Sequence, residues 1–135
     1  MERTRKRYEI RYNINMATYT KEFLSASTDG AAIKVVDTSS TGTTIHATGT
    51  SSSIIDEVWL YAYNSATGNV LLTIQYGGTT SPDNDIKITL PSQSGLTLIA
   101  PGLILTGTGA VANTVYAYAD TANVVTISGY VNRIA

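Results

Sequence analysis

Few side chains in this 135-residue chain are equipped for catalysis, and their spacing argues against most of it. Cysteine is absent, which removes a thiolate nucleophile, a thiolate metal site and any disulfide together. The single histidine, His46, lies in the run Thr43-Thr44-Ile45-His46-Ala47-Thr48. A general base needs a nucleophile and an orienting partner in reach, and no Gly-x-Ser-x-Gly elbow accompanies it. Strand alternation puts His46 on the face of Thr44 and Thr48, so it is expected to point to solvent or to a polar interface. Asp56 and Glu57 are adjacent, face opposite ways on a strand, and form no carboxylate pair. Asp83-Asn84-Asp85 offers oxygen donors for Ca²⁺, but the downstream Gly and bidentate Glu of a calcium loop are missing. After Pro82 that run reads as a turn. Gly107-Thr108-Gly109 sits between strands instead of opening a helix, so it is a turn and not a phosphate cradle. No catalytic residue, no metal ligand and no cofactor is expected.

The aromatic residues carry more signal. Trp59-Leu60-Tyr61-Ala62-Tyr63, a turn and Val70-Leu71-Leu72-Thr73-Ile74 are echoed by Val115-Tyr116-Ala117-Tyr118, a turn and Val124-Val125-Thr126-Ile127. Each reads as a hairpin of Tyr-Ala-Tyr with an aliphatic return strand. Alternation places Tyr61 and Tyr63 on one face, against Leu60 and Ala62 on the other; Tyr116 and Tyr118 oppose Val115 and Ala117. Tyrosine supplies large, stiff contact area with a polar tip, the composition that interfaces enrich. Tyr61, Tyr63, Tyr116 and Tyr118 are therefore the candidate interface residues, with the 77–84 loop beside them. Packing in the core is the other reading of the same pattern.

The elements that must position these residues are strands. Hydrophobic residues make up 43% and charged residues only 14%, below the usual ~25% charged and unlike a disordered chain. Thr, Val, Ile and Tyr are frequent, and strong helix formers are scarce. Strand segments are expected at Thr18–Ser25, Ala31–Asp37, Thr43–Thr48, Ile55–Tyr63, Val70–Tyr76, Asp85–Leu90, Leu96–Ala100, Leu103–Thr106, Val111–Ala119 and Val124–Ile134. Pro101-Gly102 is expected to turn the chain between two of them. Short strands with a turn about every dozen residues predict an all-β fold: an antiparallel two-sheet sandwich or jelly-roll-like domain of about eight or nine strands. Val35, Val58, Leu60, Leu72, Ile74, Ile88, Leu98, Leu105, Val115, Val125 and Ile127 are the expected core. No apolar run approaches the ~18 residues of a membrane-spanning helix.

Charge divides the chain. Five of the nine basic residues (Arg3, Arg5, Lys6, Arg7, Arg11) fall in the first 11 positions. From Met16 onward 4 basic residues face 8 acidic ones. Residues 1–15 are read as a basic N-terminal leader or arm, dispensable or upstream of the natural start at Met16. Residues 16–135 are read as a single domain. A basic arm could touch nucleic acid phosphates, but the four scattered cations of the body give no such footprint, and nucleic acid is not an expected partner.

The stretch Met16-Ala17-Thr18-Tyr19-Thr20-Lys21-Glu22-Phe23, the Gly/Ser/Thr-rich strands, Leu96-Thr97-Leu98-Ile99-Ala100-Pro101-Gly102 and the 122–134 terminus resemble small β-sandwich virion proteins of tailed bacteriophages, of the capsid decoration or cement type. The resemblance spans roughly residues 16–135. It implies a non-catalytic protein on the outer capsid surface that binds the major capsid protein and stabilises the shell. It also implies a homo-oligomer, with a trimer favoured and a dimer next. A head fibre, neck or tail component is the first alternative, and a carbohydrate-binding β-sandwich module the second. Trp59 separates them: a sugar-binding module would expose it on a flat face beside polar groups, and a cement protein would bury it in the core.

Overall fold

The computed structural model describes residues 16–135, and the basic leader of residues 1–15 lies outside the described residues. Nine strands follow in order: β1 (Tyr19–Phe23), β2 (Ile33–Lys34), β3 (Thr43–Ala47), β4 (Ile55–Asn64), β5 (Val70–Tyr76), β6 (Asp85–Leu90), β7 (Thr97–Thr106), β8 (Thr114–Ala119) and β9 (Val125–Ile134). Among the described residues there is no helix, hence none long and apolar enough to cross a membrane.

Pairing is antiparallel throughout and nested. The innermost pair is β5 with β6, then β4 with β7, then β3 with β8, then β1 with β9. One long doubled ribbon is thus rolled over itself. Rolling splits it into a first sheet, β1-β9-β4-β7 with β2 also on β9, and a second sheet, β3-β8-β5-β6. This is a two-sheet sandwich with jelly-roll strand order. The two tyrosine-bearing units are not hairpins, as the sequence had suggested. β4 and β5 lie in different sheets, as do β8 and β9, so each short connection is an arch across the core. The two units pair with each other instead, β4 on β9 and β5 on β8. Asn64 makes the first arch possible: its side-chain amide donates to the carbonyls of Gly68 and Leu90, and its oxygen accepts from the Ala66 amide.

Alternation fills the space between the sheets. Val58, Leu60, Ala62, Ile127 and Val131 point inward from the first sheet; Leu72, Ile74, Val115 and Ala117 point inward from the second. Eight of the eleven expected core residues are buried. Ile88 and Leu105 pack partly buried against them. Leu98 does not belong: it is 45% exposed. The cause lies in β7, which does not turn at Pro101-Gly102 but runs straight through as one ten-residue edge strand. Proline is tolerated there because an edge strand has no second neighbour to receive its missing N–H. Two register shifts against β4 absorb an extra residue each, the second with Gly102 at φ 76°. They exchange the faces, turning Leu98 outward and Ala100 inward.

Truncating Leu60 or Ile74 to Ala should cost about 2–5 kcal/mol in denaturant unfolding, because neither cavity can collapse between two sheets. Leu98→Ala should cost less than about 1 kcal/mol, as for other surface positions. The reverse ranking would place the core on the other face of β7.

Candidate functional site

Two places in the fold bring functional side chain types together. The first is buried. Asp56 projects inward from β4 and is 1% exposed. Its Oδ1 accepts from Arg133 Nε at 2.8 Å, and its Oδ2 accepts from Arg133 Nη2 at 3.1 Å. Oδ2 also lies 2.7 Å from His46 Nε2. His46 Nδ1 accepts the backbone N–H of Ser25 at 3.0 Å. A backbone N–H can only donate, so Nδ1 is unprotonated and Nε2 carries the hydrogen given to Asp56. The cluster therefore joins β3 of one sheet to β4 and β9 of the other, and pins the chain just after β1.

This corrects the expected outward His46. A register shift between Thr44 and His46 puts one extra residue in β3, and both Ile45 and His46 become buried. Alternation across the run no longer holds. Chemically the cluster is a staple: both ring nitrogens of His46 are engaged and the ring is 1% exposed, so no lone pair is open to a substrate. Burial raises the Asp56 pKa, but the hydrogen bonds from Arg133 and then His46 outweigh it and hold the carboxyl below its ordinary value. Burial, and after it the Asp56 charge, pushes the Tyr76 phenol well above its ordinary range; its hydroxyl donates to the Leu103 carbonyl. Sequence reading missed the cluster, although a signal existed. Asp56 shares the strand parity of Val58 and Leu60, and an inward carboxylate demands buried partners.

The second place is the outer face of the first sheet. Register sets Phe23, Tyr130, Trp59 and Pro101 in one row across β1, β9, β4 and β7. Trp59 and Tyr130 stack with centroids 6.1 Å apart and planes 12° off parallel. Lys21 Nζ lies 4.7 Å above the Tyr130 ring. Trp59 Nε1 donates to Glu57 Oε1 at 2.7 Å, and Asn132 Nδ2 donates to the same oxygen. Two glycines permit this row. A Cβ on Gly102 would come 2.9 Å from the Trp59 ring, and one on Gly129 would collide with the Trp59 carbonyl. Further out, Tyr19 is 71%, Phe23 64% and Ile104 64% exposed. Trp59 is thus half-buried on the outer face, not in the core where the cement expectation put it.

The four candidate tyrosines are not brought together. Tyr61 and Tyr63 are outward on β4, continuing the aromatic face of the first sheet. Tyr116 and Tyr118 are outward on β8, on the opposite side of the molecule. Their surroundings differ. Tyr116 and Tyr118 sit opposite Gln75 and Thr73, both buried; Gln75 is held under the 40–42 loop by the Ser40 hydroxyl and the Gly42 amide. The 77–84 loop is closed on itself by Asn84, which accepts the Thr80 amide and donates to the Tyr76 carbonyl. No group of three or more metal-ligating side chains occurs among the described residues.

No family model matches the chain, and neither a curated protein nor a solved structure matches it.

The staple makes stability acid-sensitive. Because the folded-state pKa of Asp56 is lowered, its contribution is fully present above the unfolded-state value of about 3.9 and is lost as pH falls through the folded value. Asp56→Ala should cost about 3–5 kcal/mol at neutral pH, leaving Arg133 and His46 without their acceptor. Its stability should also fall less than wild type between pH 5 and 2. Equal acid sensitivity in the two proteins would remove Asp56 from the account.

Proposed function

We propose that this is a non-catalytic structural virion protein of the capsid decoration or cement type, bound to the major capsid protein on the outer surface of a bacteriophage shell. The observation that carries the reading is the pair of opposite outer faces, each bearing two of the candidate tyrosines. The first sheet adds an uncovered apolar row to its pair. A protein with two contact faces can touch its own copies with one and a shell with the other. Engaging several modest contacts together holds much better than one, because later contacts are intramolecular. The buried polar cluster, closed on itself, offers nothing to a substrate. The resemblance of residues 16–135 to phage decoration proteins supplies the choice of shell. Jelly rolls serve both capsids and lectins, so the fold alone does not choose. Self-association, as a trimer on three-fold positions or a dimer on two-fold positions, belongs to this reading.

The outward Trp59 favours a second reading, a carbohydrate-binding module. Against it, the indole N–H is already given to Glu57, one side meets Tyr130 and another meets Gly102. That leaves no free indole donor for a sugar hydroxyl and only part of the ring exposed.

Purified protein should co-sediment with phage shells stripped of accessory proteins and raise the temperature at which those shells break. A chain beginning at Met16 should do the same. Failure to bind shells, with retention of a sugar on a glycan array, would replace this reading with the second.

A further inference from the structure

Along residues 130–134 of β9 the outer face of the first sheet is nearly symmetric about that strand, with β7 extending the sheet beyond β4 on one side. β9 runs between β1 and β4, and over residues 130–134 each outward residue of β9 has one neighbour on either side, whereas Ser128 meets only Tyr61 and Thr126 lies between Lys34 and Tyr63. Asn132 lies between Lys21 and Glu57, Tyr130 between Phe23 and Trp59, Ile134 between Tyr19 and Ile55. At these three positions the flanking residues pair by chemistry: cation with anion, ring with ring, and tyrosine with isoleucine. Charge is otherwise sparse. Among the described residues the outward strand positions of this sheet carry Lys21, Lys34 and Glu57, and no other ionised group.

A two-fold axis lying over β9, parallel to it, exchanges the two sides. It leaves height along the strand unchanged and sends the β1 column of one copy onto the β4 column of the other. We infer that this face binds a second copy of the chain about that axis, with Lys21 of each copy against Glu57 of the other. The same operation lays Phe23 on Trp59 of the second copy and Tyr130 on its own equivalent. Phe23 borders a hollow of about 340 Å³, lined also by Lys21, Glu22, Gly30, Gly129 and Tyr130. Sheets packed face to face at ~10 Å accept such interdigitation. An isologous contact requires a self-complementary surface, and Lys21 and Glu57, mirrored across β9 at the height of Asn132, satisfy that demand. A three-fold contact would join two different surfaces and would leave this mirror relation without a role. The inference rests on reading the face as a protein-contact surface, and it identifies the occupant as a second copy instead of the shell.

The test is charge exchange on the full chain, with mass read by sedimentation equilibrium. Wild type is expected at twice the 14.4 kDa chain mass. Lys21→Glu alone sets carboxylate against carboxylate, and Glu57→Lys alone sets cation against cation. Each should weaken the dimer by about tenfold or more. Mixing the two single variants restores opposite charges at both contacts. The exchanged side chains of the two variants face each other with signs reversed, and the unchanged Lys21 of one faces the unchanged Glu57 of the other. The mixture should therefore dimerise while neither component does. Because Glu57→Lys also removes the Trp59 and Asn132 acceptor, rescue in the mixture separates a lost interface from a damaged fold. A monomeric wild type, a trimeric mass, or a dimer indifferent to both swaps would overturn the inference. No shell is present, so failure of the shell-binding assay leaves this result untouched.

Discussion

Ten consecutive partners join β4 to β9, from Ile55 opposite Ile134 to Asn64 opposite Val125. That register is the constraint on which the remaining features depend. It sends Val58 and Val131 inward together, sets Asp56 beside Arg133, and turns Trp59 and Tyr130 outward as neighbours. A slip of one residue would move a strand's whole apolar set to the wrong face. It would also part Asp56 from the guanidinium that offsets its burial. The pairing is thus specified twice, by apolar burial and by a charge that tolerates one arrangement only.

The glycines are part of the same constraint. Gly129 faces Leu60, and no side chain fits there beneath the Trp59 carbonyl. Gly102 bulges the edge strand under the indole ring. The aromatic row is therefore a product of backbone geometry as much as of side-chain attraction. Stiff, mutually supported rings lose little freedom on contact, which is what favours Trp and Tyr in interface centres.

Strand class, strand number and most of the core were legible because alternation over ten residues, as in Ile55–Asn64, has one structural reading. Three things were not. Bulges are invisible to alternation: one extra residue at Ile45 buried His46, and others in β7 exposed Leu98. The edge position of β7 decides that Pro101 continues a strand, and no local signal distinguishes an edge from a turn. The partner of an arch is also non-local. Tyr-Ala-Tyr followed by a short turn looks the same whether the chain folds back in one sheet or crosses to the other. The four candidate tyrosines were chosen by their type and strand parity, but parity within a strand cannot tell which sheet carries it. Tyr61 and Tyr116 thus emerged on opposite sides.

The central claim is that the row through Trp59 is a contact surface between copies. Trp59 is the only tryptophan in the chain, so its fluorescence reports on that row alone. Emission should shift to shorter wavelength over the same range of protein concentration in which the sedimenting mass doubles, as the half-exposed indole is covered. A mass that doubles while Trp59 emission stays fixed would place the contact elsewhere on the molecule.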